Sequence, residues 1–159
     1  VDSCYNQLRK RASLSSSSLS IVSELKSGSA WYVPGGCSTI GRLFNDACGR
    51  YAFAEDKHSG SIPLAFETVF DKAGDADVWT IKYNRDRDMT YSDLKADYIG
   101  YTGFKAFKTR NIYGCNTAKV PFYEETPFRP DYLLSDLIQI LHPEIGDLGG
   151  LRYFCKLNE

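Results

Sequence analysis

Few side chains in this sequence are placed to do chemistry, and they lie far apart. The turn Pro34-Gly35-Gly36-Cys37-Ser38 follows an apolar strand and opens a helix, a setting in which backbone amides can cradle a phosphate. It lacks both the Lys of a P-loop and the G-x-G-x-x-G spacing, so a tight structural turn is the better reading. His58 sits in a polar loop, open either to a ligand or to solvent, whereas His142, in Leu-His-Pro-Glu, suits the last turn of a helix as a cap. The five cysteines (Cys4, Cys37, Cys48, Cys115 and Cys155) form no CxxC and no paired ligand spacing, so no metal site is expected. Buried free thiols are the expectation, since Cys is among the most often buried residues. No Cys is set beside an activating group, which argues against a thiol hydrolase. Asp86, Asp88 and Asp93 lack the Gly and terminal Glu of a calcium loop and read as solvated.

Two other stretches could meet a partner or ligand. Phe122-Tyr123-Glu124-Glu125-Thr126-Pro127-Phe128-Arg129-Pro130 gathers aromatic faces and a few charges, the ingredients of an organic-ligand site. The same aromatics could instead fold onto the core. Glu67 falls in the first turn of a helix, where the dipole favours a carboxylate. An exposed charge there could also pair with Arg on another protein and orient it.

These residues need strands and helices to hold them. Leu19 to Leu25 and Ser29 to Val33, split by Lys26-Ser27-Gly28, predict a strand pair with a Gly turn. Ser38 caps a helix whose apolar positions Ile40, Leu43, Phe44 and Ala47 follow i, i+3, i+4, i+7, with Gly49 as its stop. Tyr51 to Ala54 predicts a short strand, and Glu55 to Ser61 a polar loop. Phe66, Val69, Phe70 and Ala73 repeat at helical spacing up to Gly74, and Val78 to Tyr83 reads as a central strand. Thr90 to Tyr98 and Gly103 to Lys108 predict short helices, Asn111 to Cys115 a strand, and Arg152 to Leu157 a last strand. Between these, Pro130-Asp131 starts an apolar helix that Pro143 ends. Alternating strands and helices imply an α/β three-layer sandwich: a mostly parallel central sheet covered by helices on both faces. In such sheets ligands sit beyond the carboxyl ends of the strands, which selects the loops at 34–38, 55–61, 84–89 and 116–129.

The 159 residues make one domain by length, 19–159, preceded by a basic helix end and a Ser-rich segment over 1–18. With 19 basic and 20 acidic residues, no bulk field recruits nucleic acid. The 11 Tyr, 9 Phe and 2 Trp make an aromatic-rich chain: some of these rings belong to the core, and the excess of Tyr also suits a ligand surface. No run has the roughly 18 apolar residues of a membrane span. Beginning at Val1, the sequence reads as a processed chain or an excised piece.

Residues 19–157 resemble the C-terminal lobe of periplasmic binding proteins with a helical backbone, which deliver iron-siderophores, haem or cobalamin to ABC importers. The resemblance is carried, in order, by Trp31-Tyr32-Val33-Pro34-Gly35-Gly36-Cys37-Ser38, Gly60-Ser61-Ile62-Pro63-Leu64-Ala65-Phe66-Glu67, Ala76-Asp77-Val78-Trp79, and Arg129-Pro130-Asp131 leading to Leu141-His142-Pro143-Glu144. It implies one lobe of a two-lobe binding protein, with 1–18 as the end of the linking helix (Val1 to Ala12) and a Ser-rich entry segment, and a missing N-terminal lobe. It implies no enzymatic activity and no resident cofactor. The partners implied are an ABC permease in the inner membrane and a small molecule of the siderophore, haem or cobalamin kind. The location implied is periplasmic, with a lipid anchor on the parent protein as one option. By position in the motif, Glu67 would dock on the permease, although Ala65 stands where a capping Ser is usual. His58 and Ser59, with Phe122 and Tyr123, would touch the ligand. The alternative is an α/β enzyme domain that binds a phosphate-containing ligand at the Pro-Gly-Gly turn.

Overall fold

The computed structural model describes all 159 residues. Helix α1 (Asp2–Ser13) leads to β1 (Ser20–Ser23), β2 (Lys26–Ser27), β3 (Ala30–Pro34), α2 (Thr39–Asp46), β4 (Arg50–Tyr51) and β5 (Ser61–Leu64). Then follow α3 (Phe66–Ala73), β6 (Val78–Tyr83), α4 (Tyr91–Asp97), a 3-10 turn (Ile99–Gly103), α5 (Lys105–Lys108) and β7 (Ile112–Asn116). The chain closes with α6 (Phe122–Glu125), α7 (Pro130–Leu141) and β8 (Cys155–Lys156).

The central sheet has the order β4-β1-β6-β7-β8 and is parallel except for β8, which runs against β7. Helices flank it on both sides: α1 and α2 pack on α7, while α5 packs on β6 and on the 3-10 turn. This is the expected three-layer α/β arrangement. Strands β1 and β6 are buried along most of their length, as strands covered on both faces must be.

The expected pairing of 19–25 with 29–33 does not form. β1 lies between β4 and β6, and β3 pairs instead with β2 across a turn at Gly28, whose φ of +61° suits glycine. β3 also pairs with β5, making a small antiparallel sheet β2-β3-β5. A Pro in Ser61-Ile62-Pro63-Leu64 masks this strand in the sequence, and β5 tolerates it because it is an edge. The predicted strands at 51–54 and 152–157 shrink to Arg50–Tyr51 and Cys155–Lys156. All five cysteines are free, but only Cys115 is buried; Cys4 and Cys155 are exposed because they fall on an outer helix and the edge strand.

One aromatic cluster joins the two sheets. Trp31 of β3 stacks on Trp79 of β6 with centroids 5.8 Å apart, and Phe104, Tyr101 and Phe66 pack around them at 4.9–6.2 Å.

The Ser-rich segment is tied to the end of α7. His142, the C-cap of α7, is wholly buried, with Nε2 2.7 Å from the Ala47 carbonyl and Nδ1 2.9 Å from Ser15 Oγ. Glu144 accepts the hydroxyls of Ser15 and Ser17, and those two bonds pull its carboxyl down to about 2 from its ordinary 4.5. A depressed carboxyl stabilises the fold above its unfolded value and loses that contribution as pH falls through its folded value. Acidification from pH 4.5 to 2 is therefore expected to release the segment at 15–18 from α7. Carboxyl titration of Glu144 by NMR, with amide exchange at 15–18, checks this: a Glu144 midpoint near 4.5 would contradict it.

Candidate ligand groove and docking surface

The parallel strands β1, β6 and β7 end on one edge of the central sheet. β1 delivers Ser23 and Glu24 there, β6 delivers Lys82 and Tyr83, and β7 delivers Asn116. Because β1 and β6 pair in register, Ser23 opposite Thr80, Glu24 emerges close to Lys82. The Glu24 carboxylate lies 3.3 Å from the Lys82 ammonium, and both side chains are mostly buried. Lys82 also hangs over the rings of Phe122 and Tyr123, 5.2 and 6.0 Å from their centroids.

Glu24 holds an uncommon backbone conformation, φ +74°, which a side-chain-bearing residue adopts at a cost. The surroundings enforce it. Its N–H donates to the Thr80 carbonyl at 3.0 Å, its carbonyl accepts Trp79 Nε1 at 2.9 Å, and the Ser23 carbonyl accepts Trp31 Nε1 at 3.0 Å. The two indoles thus clamp the backbone that presents the carboxylate.

Two hollows share this ion pair. One is a groove of about 330 Å³ between Glu24, Lys82, Tyr32, Ser38, Gly60 and Ser61. The other is a small internal cavity of about 20 Å³, room for a single water, lined by Ser23, Thr80, Phe44, Leu133 and Leu137 together with the pair. Ser23 Oγ is buried without a hydrogen-bond partner.

The Pro-Gly-Gly turn forms the groove's rim, and three of its four amides are already used. Gly35 N–H donates to the Gly60 carbonyl at 2.8 Å, Cys37 N–H to the His58 carbonyl at 3.0 Å, and Ser38 N–H to the Gly35 carbonyl at 3.1 Å. A β-carbon on Gly35 or Gly36 would lie 2.3 Å from a backbone oxygen of the 54–60 loop, so both glycines are required by backbone-to-backbone contact. A phosphate would find only the Gly36 amide on this turn, too few donors for a cradle.

His58 stands exposed on the loop so clamped. Its Nδ1 lies 2.9 Å from Asp56, whose carboxyl is held below its usual range by that hydrogen bond, leaving Nε2 toward solvent. Ser59 is exposed beside it, and the next two residues line the groove. Tyr123 is 62% exposed. Phe122 corrects the expectation of a ligand-facing ring: at the start of α6 it turns inward, 4% exposed, with its centroid 5.6 Å from that of Tyr153. Beside the groove it supports Lys82 from below.

Glu67 occupies a different surface. It is exposed in the first turn of α3, and Ala65 provides no side-chain cap, as its methyl group dictates. A shallow concavity places Glu67 with Asp71, one helical turn on, with Asp75 just past the helix end, and with the rings of Phe66 and Phe70. None of these residues lines the groove.

Of the residues on the sheet's edge, the sequence pointed to His58, Ser59 and Tyr123 and missed Ser23, Glu24, Tyr32 and Lys82. Lys82 leaves one trace, a charge near the end of an otherwise apolar central strand.

Comparison with known proteins agrees with this architecture. A family model described as periplasmic binding protein matches residues 1–118. An uncharacterized lipoprotein of Methanocaldococcus jannaschii is 31% identical over 128 residues, which are 80% of this chain and 30% of that protein. Among solved structures, the TroA-like periplasmic binding protein FepB from Veillonella parvula superposes with a TM-score of 0.69 at 14% identity, covering 99% of this chain and 54% of the other. IsdE of S. aureus complexed with heme gives 0.62 at 16% identity (89% and 54% covered), and the vitamin B12 binding protein BtuF of Vibrio cholerae gives 0.59 at 12% (88% and 50%). The chain therefore spans about half of each of these structures and under a third of the curated relative. At these identities the superpositions establish the fold; the match of the family's sequence pattern over residues 1–118 establishes descent, and the chain belongs to the periplasmic binding protein family.

Proposed function

We propose that the chain is the second lobe of the substrate-binding component of an ABC importer. One face of the cleft would hold a siderophore, haem or cobalamin-like ligand, and the exposed carboxylate of Glu67 would dock the lobe on the membrane permease. α1 would end the helix that links it to an N-terminal lobe. The proposed location is periplasmic; the archaeal relative, described as a lipoprotein, supports a lipid anchor on the parent protein. The solved structures described with heme and vitamin B12 support this range of ligands.

One observation carries the reading: Glu67 lies on an acidic and aromatic surface of α3 that shares no residue with the groove at the strand ends. Docking needs such a separation, and catalysis by Glu67 with His58 would need the reverse. Ligand capture would be non-covalent. Tyr32 and Tyr123 would offer aromatic faces, His58 and Ser59 polar contacts from the rim, and parting of the lobes would release the cargo. A lone lobe would bind weakly, since half the contacts are missing. The phosphate-enzyme alternative is left with a single unengaged amide, that of Gly36, at the turn on which it rests.

The test is Glu67→Lys in the two-lobe protein, assayed for association with its permease and for ligand uptake in proteoliposomes. Reversing an exposed charge should cost association at least about tenfold, while stability stays within about 0.5 kcal/mol. Unchanged association and uptake would refute docking through Glu67.

A further inference from the structure

On the reading of the groove as a ligand site, we infer that the Glu24–Lys82 pair forms a polar subsite for a neutral, amide-bearing ligand and selects against anionic ones. The pair presents a donor and an acceptor 3.3 Å apart at the shared wall of groove and cavity. One carboxamide edge has the complementary set, a carbonyl for the ammonium and an N–H for the carboxylate. A carboxylate or catecholate in the same place would meet Lys82 but also the Glu24 charge beside it, a like-charge contact that works against the wrong ligand.

Most cations of the strand-end loops are already paired: Arg85 with Asp97, Arg87 with Asp93 and Lys119 with Asp88, which leaves the exposed Lys57 beside His58 as a single free positive charge and no cluster for a polyanion. What these loops offer around the pair is aromatic: Tyr32, half exposed, and Tyr123. Behind it, the unpartnered Ser23 Oγ is sealed from water and takes no part in the subsite. The strained φ of Glu24, held by the hydrogen bonds from Trp79 and to Thr80, means that the carboxylate is aimed before any ligand arrives.

The experiment is a 15N amide titration of the chain with four probes. Cyanocobalamin and a neutral ferric trihydroxamate carry amide-type groups; haemin and a ferric tris-catecholate carry anionic ones. At least one of the first two should bind tenfold or more tighter than either anion and shift the amides of Ser23, Glu24 and Lys82. In Glu24→Gln the preference over the anions should fall below threefold. Lys82→Met, which keeps the stem, should weaken the favoured probe at least fivefold and serves if the first variant does not fold. An anion that binds as tightly as the neutral probes, or a favoured probe that shifts other groove amides and leaves these three unmoved, overturns the subsite while the groove reading stands. Four probes that leave every groove amide unmoved at millimolar concentration overturn both.

Discussion

Trp31→Ala is expected to destabilise the protein by about 4 kcal/mol, a large share of the roughly 5–15 kcal/mol that holds an ordinary domain folded. The side chain is fully buried and its ring meets Trp79, Phe104, Tyr101 and Phe66, so truncation opens a cavity where the small sheet meets the central one. It also orphans the Ser23 carbonyl, which accepts Trp31 Nε1. Trp31→Phe separates the two losses: it keeps a stacked ring and should cost only about 1–2 kcal/mol. Urea denaturation followed by far-ultraviolet circular dichroism reads both. A Trp31→Ala loss below about 1.5 kcal/mol would show that the two sheets hold together without this contact.

Asp136 should be nearly as sensitive, though it touches no ligand surface. Its carboxylate is wholly buried in α7 and accepts the backbone N–H groups of Arg152, Tyr153 and Phe154 at 2.9, 2.8 and 3.2 Å. Burial pushes the carboxyl up and the three N–H donors pull it back, so the group is bound to its site by the bonds it makes. Asp136→Asn keeps the volume but sets an amide NH2 against backbone donors. The expected loss is about 3–4 kcal/mol, since hydrogen bonds to a charged acceptor are worth about 1.5–3 kcal/mol each and do not add in full. Thermal melts give the total, and amide exchange locates it: protection at 152–154 should vanish while β6 stays protected. Intact protection there would mean that the last segment is held by Tyr153 and Phe154 packing alone.

How much of this was legible beforehand depended on whether the signal was local. Ile40, Leu43, Phe44 and Ala47 behind the Ser38 cap foretold α2, which runs Thr39–Asp46 with Gly41 N–H on Ser38 Oγ. Phe66 to Ala73 and Val78 to Tyr83 appear as read, because period and propensity agree along each segment. β5 did not announce itself, since Pro63 speaks against a strand and only its position at an edge permits it. The groove was half visible: its loops follow from the parallel topology, and Tyr123 from its aromatic surroundings. Glu24 and Lys82 were not, because neither has a local pattern and only the register of β1 on β6 brings them together. Phe122 and Tyr123 look equivalent in the sequence, and a single turn of helix sends one inward and the other out.

The indole clamp also settles what light reports in this protein. Its two tryptophans are both buried in one stack, and their N–H groups end on the carbonyls of Ser23 and Glu24. Emission colour, quenching and exciton coupling between the rings therefore arise at a single place, directly behind the groove. A fluorescence trace of the native chain is a reading of that strand end, not an average over the molecule.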